Sequence, residues 1–198
     1  MKTVLLGNAG SGKSTLSHKL IKAEPAARLS LDDLAFAVGA ERRPLAASVA
    51  DALAFIEAHD SWIVEGCYAD IVEALLPAAE TLIFLNPGVE TCVRHCRARP
   101  WEPQKFGSEA AQQANLENLI NWVREYPTRA DEYGLQRHRA LYERFGGEKI
   151  EYNNAEDYPA RCACAQPRRF SFNRSRHAQS SHHPAVQRRT GCERQGDL

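Results

Sequence analysis

The chain has 198 residues, with 25 Lys and Arg against 25 Asp and Glu, so its formal net charge is zero. That length suffices for one domain with a sizeable core. No apolar run of about 18 residues occurs, which argues against a membrane-spanning helix. The six cysteines form no C-x-x-C pair and fit reduced thiols better than a disulfide framework. The amino terminus enters a strand at once, without a basic-then-apolar leader, and we expect a cytoplasmic protein.

The run from Lys2 to Leu6 is apolar apart from Thr3 and predicts a buried parallel strand. Residues 7–14 then read G-x-x-x-x-G-K-S, a complete phosphate-binding loop. Lys13 to Ala23 predicts a helix, with Leu16, Leu20 and Ala23 on one face. Ala27 to Leu31 predicts a short strand that ends at Asp32 and Asp33. A helix follows from about Ala46 to Ala58, then a strand over Trp62 to Glu65 and a turn at Gly66-Cys67-Tyr68. Thr81 to Leu85 is the fourth strand. Asn86-Pro87 reads as the cap and first residue of a helix reaching about Arg97. A charged, proline-containing loop runs from Arg99 to Gly107. Helices are expected over Ser108 to Tyr126 and Tyr133 to Phe145, the latter stopped by Gly146-Gly147. Glu148 to Tyr152 is the fifth strand. Strands alternating with helices predict a parallel α/β sheet covered on both faces, with ligands at the carboxyl ends of the strands.

The chemistry starts at the loop. Its glycines let successive N–H groups point into one concavity that binds anionic oxygens. The helix opening at Lys13 adds the positive end of its dipole. Gly7, Asn8, Ala9, Gly10, Ser11, Gly12, Lys13, Ser14 and Thr15 are therefore the expected nucleotide-binding residues. Lys13 would meet the β- and γ-phosphates of ATP, and the Ser14 hydroxyl would be a Mg²⁺ ligand. Asp32 and Asp33 would take Mg²⁺ through water or accept a substrate hydroxyl proton; they could equally cap a helix. Glu65, at a strand end, would hold metal-bound water or orient substrate; the alternative is a surface acid. Arg94 and Arg97, with Arg99, would neutralise the transferring phosphate, with the Pro100–Lys105 loop as a lid; dipole complementarity at a helix end is the alternative. Arg124, Arg129, Arg137 and Arg139 offer another candidate cleft arginine. Cys92, His95 and Cys96 have metal-like spacing but lack a fourth ligand, so packing thiols are favoured. Trp122 with Leu119 and Val123 has core spacing.

These residues resemble small bacterial P-loop kinases of the adenylate kinase and shikimate kinase type, above all the topology-modulation, adenylate kinase-related group. The matching segments are residues 7–14, Leu31-Asp32-Asp33, Trp62 to Tyr68, Thr81 to Leu85 and the arginines that follow. The resemblance covers residues 1–157. It implies a five-stranded parallel core of order 2-3-1-4-5, an arginine lid at Arg94–Arg99, ATP with Mg²⁺, and adenine contacts from Asn153-Asn154. The expected activity is ATP-dependent phosphorylation of a small molecule, by a monomer or homodimer. The departures concern the acceptor. Glu65-Gly66-Cys67-Tyr68 stands where adenylate kinases carry Asp-Gly-Phe-Pro-Arg, and shikimate kinases have a triple-glycine turn absent from this chain. A nucleotide-binding regulator with slow ATP hydrolysis is the alternative activity. A dinucleotide-binding fold fits less well, because the loop carries Gly-Lys-Ser.

The zero net charge conceals an asymmetry. Residues 161–198 hold eight arginines against Glu193 and Asp197, and the preceding residues carry the compensating negative excess. This tail from about residue 158 lacks periodicity and has few aliphatic residues, so it is expected to be a disordered, solvated extension or an aberrant terminus from a shifted reading frame. Its basic charge is the chain's one candidate contact with nucleic acid. Its Cys162, Cys164, His177, His182, His183 and Cys192 fit no common zinc spacing.

Overall fold

The computed structural model describes residues 1–37, 41–103 and 107–159. Five parallel strands form one sheet: β1 (Lys2–Gly7), β2 (Ala27–Ser30), β3 (Trp62–Gly66), β4 (Thr81–Leu85) and β5 (Glu148–Tyr152). Their order is β2-β3-β1-β4-β5, as the resemblance implied. Among the described residues seven α-helices accompany them: α1 (Lys13–Ala23), α2 (Asp32–Ala35), α3 (Leu45–Glu57), α4 (Ala69–Leu75), α5 (Val89–Arg97), α6 (Glu109–Arg124) and α7 (Leu135–Arg144). Among the described residues no helix is long and apolar enough to cross a membrane.

Strand periodicity divides the core between the faces of the sheet. Leu5, Ile63, Ile83 and Leu85 pack with Leu16 and Leu20 of α1. Val4, Leu6, Val64 and Leu82 point the other way, into a larger cluster built with Ile71 and Leu75 of α4 and Leu141 of α7. On α1 the buried face is Lys13, Leu16, Ser17 and Leu20, while the expected Ala23 is exposed. The helix has turned past the sheet by its last residue, one turn beyond Leu20.

Three local expectations are corrected. The helix after β4 does not start at Asn86-Pro87: the Asn86 N–H still donates to Tyr152 O of β5 at 2.9 Å, and Gly88, at φ +86°, precedes the first helical residue Val89. The ladder to β5 holds Asn86 extended, so the turn into the helix falls on glycine. Asp32 and Asp33 lie not at a strand end but in the first turn of α2. Residues 69–75, given no element from sequence, form α4, with Ala69, Ile71, Val72 and Leu75 buried. That helix has two turns and is apolar on most of its circumference, so it carries little amphipathic signal.

Candidate active site

The loop between β1 and α1 is shaped by Gly7, Gly10 and Gly12, at φ +157°, +76° and +95°. Gly12 and Gly10 occupy left-handed backbone that other residues reach at a cost. Gly10 is also sterically confined: a Cβ there would meet Cys92 O at 2.4 Å and Cys96 Sγ at 2.8 Å. Helix α5 thus presses its buried face on the loop. His95 adds a contact, with Nδ1 2.8 Å from Gly10 O. A carbonyl can only accept, so Nδ1 is the protonated nitrogen of this histidine.

Lys13 is 9 % exposed and lies within the loop. Its Nζ donates to Gly7 O at 3.0 Å and Asn8 O at 2.8 Å. The ammonium is thereby held beside the concavity by neutral carbonyls and retains its charge for an anion. Asn8 fastens the loop sideways, donating from Nδ2 to Val123 O of α6 at 3.1 Å and accepting from Ala9 N at 2.8 Å. Ser14 and Thr15 are exposed on the first turn of α1. The Ser11 hydroxyl is buried without a hydrogen-bond partner.

The expected carboxylates divide. Glu65 is 3 % exposed and takes a hydrogen bond from Arg28 Nη2 at 2.5 Å, while Arg28 Nε donates to Ser17 Oγ at 2.9 Å. Its charge is committed to a guanidinium under α1. Asp32 and Asp33 are exposed, and Asp32 Oδ1 accepts from Tyr68 Oη at 2.8 Å. Among the described residues no group of three or more His, Cys, Asp or Glu side chains is placed to hold a metal. A phosphate-bound Mg²⁺ does not require one: it keeps several waters and takes few protein ligands, and the exposed Ser14 hydroxyl is compatible with that donor set.

Arg94 and Arg97 are exposed on α5, and Arg94 Nη2 reaches only Thr91 Oγ1 at 3.4 Å. Arg99 lies 3.7 Å from Glu102. Gln104 and Lys105, in the expected lid, lie outside the described residues, as does the basic tail from Ala160. Asn153 and Asn154 are exposed after β5, and Asn154 Oδ1 accepts from Glu156 N at 3.4 Å. Burial pushes the thiol pKa of Cys92 up to about 11 and raises that of Cys96 as well. Both stay protonated packing groups, as the lack of a fourth ligand suggested.

Two neighbours of the loop, and one buried histidine elsewhere, were not found from sequence. Tyr158 Oη donates to Ser11 O at 2.7 Å. His95 was weighed only as a metal ligand. His138, fully buried on α7, bridges Cys67 O at 2.9 Å and Tyr126 Oη at 2.9 Å. Each pairing crosses a long stretch of sequence, and no local pattern signals it.

The glycine-rich loop between a buried central strand and a helix, in a parallel sheet of this order, defines a P-loop nucleotide-binding protein. Residues 3–106 match a family model described as an AAA domain, and the chain belongs to that family. A solved structure of deoxyadenosine kinase from M. mycoides with bound dATP is similar at 12% identity and a TM-score of 0.42, over 78% of this chain and 91% of that one. No curated protein matches the chain.

Proposed function

We propose that the protein is an ATP-dependent phosphotransferase, moving the γ-phosphate of Mg·ATP to a small molecule. The observation that carries this reading is the Lys13 ammonium, held by Gly7 O and Asn8 O inside a loop whose amide dipoles and helix N-terminus favour anions. Gly7 to Thr15 bind the phosphates. Ser14 would hold Mg²⁺, which supplies charge neutralisation between β- and γ-oxygens when bound. Asp32 and Asp33 lie at the carboxyl end of the sheet, where the acceptor enters. Arg94 and Arg97 approach the transferred phosphate from α5 in a lid-like role, and Asn153 and Asn154 line the adenine side. Glu65 supports this end of the site through its pair with Arg28.

The test is Mg·ATP binding and turnover by the full chain, alone and with candidate acceptors. Lys13→Ala is expected to abolish both. Retained turnover in that variant would overturn the assignment. Slow hydrolysis that no acceptor stimulates would replace the kinase with a nucleotide-hydrolysing regulator.

A further inference from the structure

Resting on the phosphotransferase reading, we infer that the acceptor is an uncharged, hydroxyl-bearing molecule with a planar ring, taken up beside Phe36, Tyr68 and Tyr133, and not a phosphorylated one. The place is fixed by backbone contacts. Leu31 N donates to Glu65 O at 2.9 Å and Ala69 N to Glu132 O at 3.1 Å. These bring the ends of β2 and β3 and the α6–α7 connection together at the carboxyl edge of the sheet. The Asn8–Val123 bond ties the same end of α6 to the phosphate loop.

Rings dominate this edge. Phe36 is 41% exposed, its centroid 6.2 Å from that of Tyr68. Tyr68 lies 5.5 Å from Tyr133, edge to face. Tyr68 itself is only 4% exposed, so Phe36 is the ring this edge offers to a planar apolar face.

The charges settle the class. A phosphorylated acceptor needs free cations here, and among the described residues the arginines packed at this edge each pair with a carboxylate, Arg129 keeping only a buried Nη1 without a partner. Arg42 pairs with Asp70 at 3.0 Å and lies over the Tyr68 ring at 5.0 Å. Arg129 pairs with Asp131 at 2.7 Å and stacks on Trp122 at 4.5 Å. Arg28 pairs with Glu65, and Arg43 with Asp51 at 2.7 Å. Asp33, by contrast, is exposed and makes no hydrogen bond or ion pair with any described residue. Like charges repel more strongly near a protein surface than in water, so a phosphomonoester beside Asp33 would meet repulsion. Among the described residues, Arg94, Arg97 and Arg124 lack a carboxylate partner; Arg94 and Arg97 lie on α5, and Arg124 is exposed at the end of α6, one step round the helix from the buried Val123.

The transfer then balances simply. The acceptor oxygen bonds to Pγ as the bond from Pγ to the bridging oxygen breaks. ADP leaves with that electron pair, and the hydroxyl proton passes to the Asp33 carboxylate and on to water.

The experiment compares common ribo- and deoxyribonucleosides with their own 5′-monophosphates, using the full chain and Mg·ATP, with ATP binding measured separately by calorimetry. Nucleosides are expected to exceed the monophosphates in kcat/KM by about tenfold or more. Phe36→Ala should raise the nucleoside KM about tenfold without changing the ATP Kd. Asp70→Asn, which releases Arg42, should shift selectivity toward the monophosphate by about tenfold. Asp33→Asn, at an exposed unpaired position that folding does not require, should lower kcat for nucleosides more than it alters their KM. Preference of the unmodified chain for monophosphates would overturn the inference, as would ATP binding with no stimulation by any nucleoside. Absence of ATP binding would instead overturn the phosphotransferase reading itself.

Discussion

The phenol of Tyr158 and the carbonyl of Ser11 are joined by a 2.7 Å hydrogen bond across 147 positions of sequence. The same ring lies 3.1 Å from where a Cβ on Gly12 would stand, and it packs edge to face on Tyr152 of β5 at 5.5 Å. Burial raises the phenol pKa, so it remains a donor. The segment after the last strand thus braces the phosphate loop at its entry into α1.

Tyr158→Phe keeps the ring and removes only the hydrogen bond. A neutral hydrogen bond contributes about 1 kcal/mol net to stability, so Tyr158→Phe should lose about that much stability, and the ATP Kd should rise by at most about fivefold. Tyr158→Ala should weaken binding further and lower the melting temperature. Calorimetric ATP titration checks both, and unaltered affinity in the phenylalanine variant would remove the hydroxyl from any positioning role.

Gly10 and Gly88 offer a controlled pair. Both have positive φ, +76° and +86°, and Gly88 with ψ 153° lies in a region nearly confined to glycine, so alanine costs about 1 to 3 kcal/mol at either from backbone alone. At Gly88 nothing lies within 4 Å of the new Cβ, whereas at Gly10 it collides with Cys92 O and Cys96 Sγ. Gly88→Ala should bind ATP normally and lose only that backbone cost in stability. Gly10→Ala should displace α5 from the loop, lose at least about 2 kcal/mol of stability and weaken ATP binding more than tenfold. Denaturant melts and ATP titrations of the two variants decide whether α5 shapes the loop.

Much of this architecture was legible in the chain. The phosphate loop was complete as a motif, and β1, β3 and β4 announced themselves as short apolar runs. The α4 helix was not legible, because its burial on most sides erases the amphipathic contrast on which a sequence reading depends. Asp32 and Asp33 were located to within a turn but given the wrong element: Leu31 still donates to Glu65 O as a strand residue would, and Ala35 N already donates to Leu31 O as a helix residue does. The acceptor edge was hidden for another reason. Its character rests on which arginine meets which carboxylate, and Arg42 with Asp70, or Arg28 with Glu65, are partners that only the folded chain brings together.

Glu65 and Arg28 make a separable prediction. Glu65 is nearly fully buried and Arg28 is 28% exposed, so the two are not equivalent when orphaned. Glu65→Gln leaves a guanidinium that can still reach water and should cost about 2 kcal/mol. Arg28→Met strands the buried carboxylate and should cost more, about 3 kcal/mol or above. Urea denaturation gives the ranking. Addition of Mg²⁺ to Arg28→Met supplies a further readout: recovery of stability would mean that Glu65 accepts a metal once its guanidinium is gone.

His138 sets the acid side of stability. Its Nε2 faces Cys67 O, which can only accept, so Nε2 carries the proton and Nδ1 accepts from Tyr126 Oη. Burial penalises the charged ring and lowers its pKa from the ordinary 6.5 to about 4. Between these values the unfolded chain binds a proton that the folded chain does not, so stability rises with pH in that window. The contribution is complete above 6.5 and is lost as pH falls toward 4, amounting to about 3 kcal/mol in all. Urea melts across about pH 7.5 to 4.5 should show this slope. His138→Gln, which keeps a donor for Cys67 O, should be less stable at the upper end of that range yet flatter through it. Subtracting the two curves removes the carboxylates that titrate lower, and an unchanged slope in the variant would place the acid sensitivity elsewhere.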